Sequence, residues 1–437
     1  MACRPGRCPG PHEPLSRDVV PVNDQRPDHR RRPASSLQVA SLFVAQGLPF
    51  GLLTEAMPVF LATHGMGPAT VGAVGTLQLA WTLKFLWSGF VARVGGWRRW
   101  MTATLVVMSL TLLALAAGID STYLLGGRGA VLGVVLLAVF ALASATQDVA
   151  TDGAFVRLVD PSRAGIASGW RVSAYRVAML VGGGGAAAAS TLMPWRAVLV
   201  AAAVVLLVLT LVPRTIPAAV ESRGPSGSSG WRPAVMPWLR QPGAAGTLAL
   251  LLLYKFGDSA MSNMVKPFWV ARGHSAAEIA GGAIGVGLGG SILGALWGGS
   301  YITRHGIMRA LWVLGLWQAS SNLGYAAVAL ADLGNLPLYA ASLFESITQG
   351  LGTAALVALT TQLCDRAHAT VQFALLTAVA SLGRALSLPV GGLLAAALGF
   401  GPFFLLSFFF CLPALALLPA TRRRLAAAAT AASAPAA

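Results

Sequence analysis

Val131-Leu-Gly-Val-Val-Leu-Leu-Ala-Val-Phe-Ala-Leu-Ala-Ser-Ala-Thr-Gln147-Asp148-Val-Ala-Thr-Asp152 is an apolar run long enough to cross a bilayer, and it ends on two carboxylates four residues apart. Four residues make about one turn of helix, so both acids leave the same face. A carboxylate turned towards lipid costs at least about 2.5 kcal/mol. The pair must therefore face protein or water, which places this helix in a bundle with a polar interior.

The whole chain agrees with that reading. Its 437 residues are 56% hydrophobic and 11% charged, with a mean hydropathy of +0.69, whereas soluble proteins carry roughly 25% charged residues. A net charge of +16 would suggest nucleic acid in a soluble domain, but here the basic residues are spread over short loops and tails, as membrane topology requires. Cys3, Cys8, Cys364 and Cys411 show no paired spacing, so neither a disulfide nor a metal site is expected.

Apolar runs of about 18 residues or more predict twelve helices, numbered 1 to 12 in chain order. The first set of six covers 37–62, 69–92, 101–119, 130–157, 166–190 and 196–213; the second covers 244–270, 276–301, 310–330, 337–362, 371–397 and 402–419. Residues 1–36 read as a disordered tail without the apolar core of a secretory signal. Residues 214–243, with Glu221-Ser-Arg-Gly-Pro-Ser-Gly-Ser-Ser-Gly230, read as a flexible linker, and 420–437 as an alanine-rich tail. Counted from Arg26 onward, nineteen arginines fall on one set of loops and only Arg128, Arg196 and Arg272 on the other. Both termini and the linker are therefore expected in the cytoplasm.

The halves echo each other at an offset of about 208 residues. Arg93-x-Gly95-x-x-Arg98 recurs as Arg304-x-Gly306-x-x-Arg309, and Ser173-x-x-Arg176 recurs as Ser381-x-x-Arg384. The Gly65–Gly72 stretch aligns loosely with 273–280. Two six-helix repeats are the expected organisation.

Eleven ionisable residues lie inside the predicted spans: Glu55, Lys84, Asp148, Asp152, Arg171, Arg176, Lys255, Asp258, Lys266, Glu345 and Arg384. Helices 3, 6, 9 and 12 carry none in their interiors. Helices 4 and 5 run antiparallel about a turn near residue 162, so equal distance from that turn means equal depth. This pairs Asp148 with Arg176 near mid-membrane and Asp152 with Arg171 about 6 Å closer to the cytoplasm, at 1.5 Å per residue. Lys255 and Asp258 share a face of helix 7. Glu55 and Lys266 are expected to snorkel to the outer interface and Lys84 to the inner one.

Helix 8 carries Gly281, Gly285, Gly289, Gly290, Gly294 and Gly298 at spacings of four. Gly285-x-Gly287-x-Gly289 follows no strand, so close helix packing is the reading and not a nucleotide loop. With no Gly-x-x-x-x-Gly-Lys-Ser/Thr sequence, transport by this chain would be secondary. A polytopic enzyme on a lipid-linked substrate would need a catalytic carboxylate or His with large polar loops, and a sensor would need an output domain. Neither is written in the sequence.

Ser144-Ala-Thr-Gln-Asp148-Val-Ala-Thr-Asp152-Gly resembles the fourth-helix motif of the AmpG-type muropeptide permease and acetyl-coenzyme A transporter family of major facilitators. Thr82-Leu-Lys84-Phe-Leu-Trp87, Tyr175-Arg176-Val-Ala-Met-Leu and Tyr254-Lys255-Phe-Gly-Asp258 are similar to its helices 2, 5 and 7. The resemblance implies an all-α major facilitator fold, alternating access and proton-coupled import across the bacterial inner membrane by a monomer without cofactors. Its wording and twelve-helix length look closer to the ferric-siderophore branch (pyochelin and rhizobactin type) than to the muropeptide permeases. One departure stands out: facilitators carry an Asp before the Arg of the loop between helices 2 and 3, and here Ala92 precedes Arg93.

The membrane-embedded charges sum to +1, which favours an anionic, carboxylate-bearing solute. Arg176, Lys255, Arg384, Gln349 and Tyr254 are the expected substrate contacts, and Asp148, Asp258 and Glu345 the proton-coupling candidates. Asp152, Arg171, Arg93 and Arg304 are expected to form gating or latching charge pairs.

Overall fold

The computed structural model describes residues 35–64, 76–94, 96–118, 128–215, 231–275, 278 and 286–422, and among these the regular elements are all helical. The tail 1–34, half of the linker (216–230), the residues from 423 on, the starts of helices 2 and 8 with Gly281 and Gly285, and most of the Gly65–Gly72 and 273–280 match lie outside the described residues.

Helix 1 opens at Ser36–Gly51 on a capping box: the Ser35 hydroxyl accepts from Gln38 N–H, and the Gln38 side chain accepts from Ser35 N–H. Pro49 lies inside it, and a π turn over Leu52–Ala56 leads into Met57–Thr63. Helix 5, Ala164–Leu180, has its own wide turn at Val181–Gly185 before ending in Ala186–Ala189. These two helices touch backbone to backbone. A Cβ on Gly47, Gly51 or Gly182 would strike the carbonyl of Tyr175, Met179 or Leu48.

Helices 2 and 7 are interrupted. Leu79–Leu83 and Phe85–Arg93 break at Lys84; Ala244–Leu253 and Phe256–Ala271 break at Tyr254 and Lys255. Each of the two buried lysines thus sits at a break in its helix. The remaining helices are Trp97–Gly118, Arg128–Leu158, Trp195–Leu209, Gly287–His305, Ile307–Leu330, Asn335–Leu363, Ala369–Leu398 and Phe400–Ala416, numbers 3, 4, 6 and 8 to 12. Among the described residues, six helices are long and apolar enough to cross a membrane: Ser36–Leu61, Trp97–Gly118, Val131–Leu158, Trp195–Thr215, Arg366–Leu398 and Phe400–Arg422.

Helix 1 packs on 5, helix 3 on 4 and 6, helix 8 on 10, helix 9 on 10 and 12, and helix 7 on 11 and 12. Between the sets, helix 5 packs on 8 and 10, and helix 11 on 2 and 4. The glycines of helix 8 do what their spacing predicts, since Gly290, Gly294 and Gly298 lie against Leu343, Ile347 and Leu351 of helix 10. On the face towards helix 5, Gly299 meets the carbonyl of Gly165.

The sets are clamped at the arginine-rich end. Arg157 donates to the carbonyls of Arg366 (2.6 Å) and Ala367 (3.2 Å), and Arg366 donates back to the carbonyl of Val159 (3.1 Å). The two turns that exchange these arginines are built alike. The Asp160 carboxylate accepts from the hydroxyl and backbone N–H of Ser162, which hold it below the usual carboxylate range, and Asp365 accepts from Ala367 N–H at 3.0 Å. Trp97 Nε1–H adds a bond to Thr370 Oγ1 (3.2 Å), and Ile166 N–H one to Thr303 Oγ1 (3.0 Å).

Part of the stretch read as a flexible linker is a helix, Trp231–Arg240, that straps this end. Its Trp238 Nε1–H donates to the carbonyl of Leu363 (3.1 Å), and Gln372 of helix 11 donates to the carbonyl of Ala234 (2.9 Å). Trp231 lies against Gly89 of helix 2, and Ala234 and Val235 share an apolar cluster with Ala92, Val371 and Leu375. Proline and glycine counts concealed it; burial of Ala234, Val235 and Trp238 on one face stabilises it.

Candidate transport site

Two buried polar clusters lie in the bundle, one in each set. In the first, Lys84 Nζ–H donates to Asp148 Oδ2 at 3.1 Å and to Asp152 Oδ2 at 3.0 Å, and Arg171 meets Asp152 Oδ1 at 2.8 Å. The expected pairing of Asp152 with Arg171 is present. That of Asp148 with Arg176 is not: the partner of Asp148 is Lys84, which is buried between the two acids and does not snorkel to the interface. Two acids and two bases balance here, as burial of charge requires.

Arg171 is also caged. Its guanidinium carbon lies 4.5 Å from the ring centre of Phe43, 5.1 Å from Phe155 and 4.8 Å from Phe373. The first two rings belong to the first set, and Phe373 comes from helix 11 of the second. A cation held by its own helices is thereby capped from across the bundle.

In the second cluster, Lys255 Nζ–H donates to Asp258 Oδ2 (3.0 Å), Gln318 Oε1 (2.9 Å) and the carbonyl of Gln349 (3.3 Å). Glu345 accepts from Ser262 (2.6 Å), Ser346 (3.3 Å) and Gln349 Nε2–H (3.3 Å), and among the described residues no cation lies within ion-pair distance of it. Gln349 ties the second cluster to helix 5 of the first set. Its side-chain oxygen accepts from Arg176 of helix 5 at 3.1 Å, its amide also donates to Ser262 (3.3 Å), and its main-chain carbonyl receives Lys255.

Arg384 stands apart. It is exposed, and among the described residues its guanidinium donates only to Ser381, at 2.7 Å. Since Lys84, Arg171, Arg176 and Lys255 balance Asp148, Asp152, Asp258 and Glu345, the surplus positive charge read from the sequence falls on Arg384. Glu55 and Lys266, exposed as expected, cancel one another.

The remaining expected site residues fall elsewhere. Tyr254 is core: its ring packs with Leu250, Leu311 and Leu415, and its hydroxyl donates to the carbonyl of Leu311 at 3.4 Å. Lys255 has no open donor direction towards a solute. Arg93 and Arg304 are exposed and have no carboxylate partner among the described residues. The sequence reading passed over Ser262, Ser346 and Gln318. Ser262 stands four residues after Asp258, on the same face, and Gln318 with Asn322 marks a polar strip on helix 9, where counting charges alone sees nothing.

No family model matches the chain. It is 29% identical over 390 residues to the anhydromuropeptide permease of Escherichia coli (strain K12), across 87% of this chain and 78% of the permease. It is likewise 29% identical over 389 residues to an uncharacterized protein of Haemophilus influenzae, across 84% of this chain and 89% of that one. Among solved structures it is similar to the human organic anion transporter MFSD10, with a TM-score of 0.68 at 16% identity over 90% of this chain and 100% of the other. It is also similar to the major facilitator proton:xylose symporter XylE, with a TM-score of 0.67 at 12% identity over 88% and 95% of the two chains. At these identities the two structures speak for the fold.

Proposed function

We propose that this chain, a major facilitator related to the AmpG-type permeases, is a proton-coupled secondary transporter that imports a carboxylate-bearing glycopeptide of the muropeptide class. The observation that carries the reading is the position of Gln349 between Arg176 and Glu345. One amide contacts a cation from the first set and an uncompensated carboxyl of the second. A substrate carboxylate attracted to Arg384 and Arg176 competes with Gln349 for the guanidinium. Gln349 then changes its bond to Glu345, and the proton on Glu345 and the anion on Arg176 become linked.

Roles follow from what each group has left to offer. Arg176 and Arg384 bind the anion, and Glu345 carries the proton. Lys255 and Asp258 hold the Gln349 carbonyl in place. Asp148, locked to Lys84, exchanges a proton only when that pair separates. In this reading the clamp at the arginine-rich end is the inner gate and faces the cytoplasm, and the two six-helix sets rock about the site.

Muropeptides take precedence over ferric siderophores because the anhydromuropeptide permease aligns along most of this chain. The deciding measurement is uptake into vesicles with an imposed proton gradient, comparing anhydro-muropeptides with a panel of ferric siderophores. Saturable, gradient-dependent uptake of the muropeptide is expected. Saturable uptake of a siderophore alone would move the chain to that branch, and uptake of either that ignores the gradient would remove the coupling.

A further inference from the structure

Helices 9 and 12 meet at the arginine-rich end in a cavity of about 260 Å³ lined by Met308, Arg309, Trp312, Pro419 and Arg422. It lies outside the polar clusters, on helices whose interiors carry no charge. Arg309 and Arg422 are exposed, and neither has an acidic partner or a side-chain hydrogen bond among the described residues. The described acids nearest this end, Asp160 and Asp365, are already engaged in their own turns. Two guanidiniums with nothing to neutralise them therefore flank an apolar recess.

We infer that this recess is a binding site for the headgroup of an anionic phospholipid. Guanidinium matches phosphate geometry and is weakly hydrated, so it sheds water readily for such a contact. A lone soluble anion would gain little from the apolar floor, whereas a lipid uses both parts. Trp312 is 41% exposed and Leu316, one turn along the same face of helix 9, is 45% exposed, so they form a track for the acyl chains where the headgroup rests on the arginines. Tryptophan suits that depth, having an apolar ring and a polar edge. Basic pockets between helices at a membrane surface take acidic headgroups, and the sequence carries two further arginines directly after Arg422.

Native mass spectrometry of the full chain released from nanodiscs of equal phosphatidylglycerol and phosphatidylcholine tests this. The wild type is expected to retain phosphatidylglycerol about fivefold over phosphatidylcholine. The R309Q/R422Q protein should lose that preference while keeping its melting temperature, since both side chains are exposed. Arg304→Gln, an exposed arginine outside the recess, should keep it. Equal retention by the double variant overturns the site, as does an equal loss in Arg304→Gln, which would reduce the effect to diffuse surface charge. Millimolar inorganic phosphate should leave retention unchanged; displacement of the lipid by phosphate would mean that the arginines bind free anions and that the apolar recess contributes nothing.

Discussion

Arg176 reaches out of the first helix set to donate to Gln349 of the second, 3.1 Å away, one turn along helix 5 from Ser173, whose hydroxyl crosses to the carbonyl of Ile292 at 3.3 Å. Hydrogen bonds to charged groups contribute about 1.5–3 kcal/mol. Removing either partner should lower transport by about 10- to 100-fold. Because the two groups act as one contact, the R176A/Q349A double variant should fall little below either single variant. A double-mutant cycle on initial uptake rates checks this; additive losses would mean that the two residues work separately.

Glu345, the proposed proton carrier, and Asp148 differ in their surroundings. Asp148 has Lys84 at 3.1 Å, whereas Glu345 has only neutral donors. Glu345→Gln should abolish uphill accumulation and leave counterflow exchange within about twofold. Asp148→Asn should first weaken folding, since it releases half of the charge that holds Lys84. Normal gradient-driven accumulation by Glu345→Gln would remove Glu345 from the coupling path.

Lys84 compensates two buried carboxylates, so its loss should be felt in stability. Breaking a buried pair by removing one partner costs about 3–5 kcal/mol. Lys84→Met should therefore lower the melting temperature and the yield of folded protein. K84M/D148N, which also removes one of the carboxylates, should recover most of both. Thermal melts in detergent provide the comparison.

Phe373 caps Arg171 from the opposite helix set, where the proposed gate closes. Cation–π contacts run from about 0.5 to 2 kcal/mol, so Phe373→Ala should shift the population towards an open arginine-rich end by roughly 3- to 30-fold. Spin labels at Ser162 and Ala367, in a background without native cysteines, should report a longer distance. Phe373→Trp should keep the wild-type distribution, which separates ring loss from general loosening.

The linker helix gives an independent handle on the same proposed gate. Trp238→Ala removes both a buried ring and the bond to the Leu363 carbonyl. Burying such a ring contributes about 3 kcal/mol or more. Faster modification of a cysteine placed at Thr370 is the expected outcome. An unchanged rate would reduce the strap to a passive tether.

How much of this was legible depended on which coordinate each rule measures. Helix positions came from apolar runs, which record depth directly, and observed ends match expected ones within a few residues. Counting from the turn near 162 also measures depth, and it paired Asp152 with Arg171. It says nothing about direction around the helix. Arg171 and Arg176 are five residues apart and so point about 140° away from each other, and only one of them can face Asp148 and Asp152. Arg176 therefore turns to helix 10, and the second base for the acids comes from helix 2, where Lys84 looked like an interfacial residue. Lys255 and Asp258 were readable because their contact is local. Gln349 gathers its partners from helices 5, 7 and 10, which no single-helix rule brings together.

Arg157 and Arg366 each bind the turn that the other set presents, so each half holds the other by the same kind of contact. Such a reciprocal hook has no stable half-released form. Tilting one turn away withdraws its acceptor carbonyls and, in the same motion, the arginine that engages the opposite turn. The gate should therefore behave as a detent with a threshold: small fluctuations are returned to the shut position, and only a displacement large enough to release both hooks commits the bundle to the other side. In the proposed proton-coupled cycle, that arrangement would guard the ion gradient, because it leaves no intermediate opening through which protons leak without cargo.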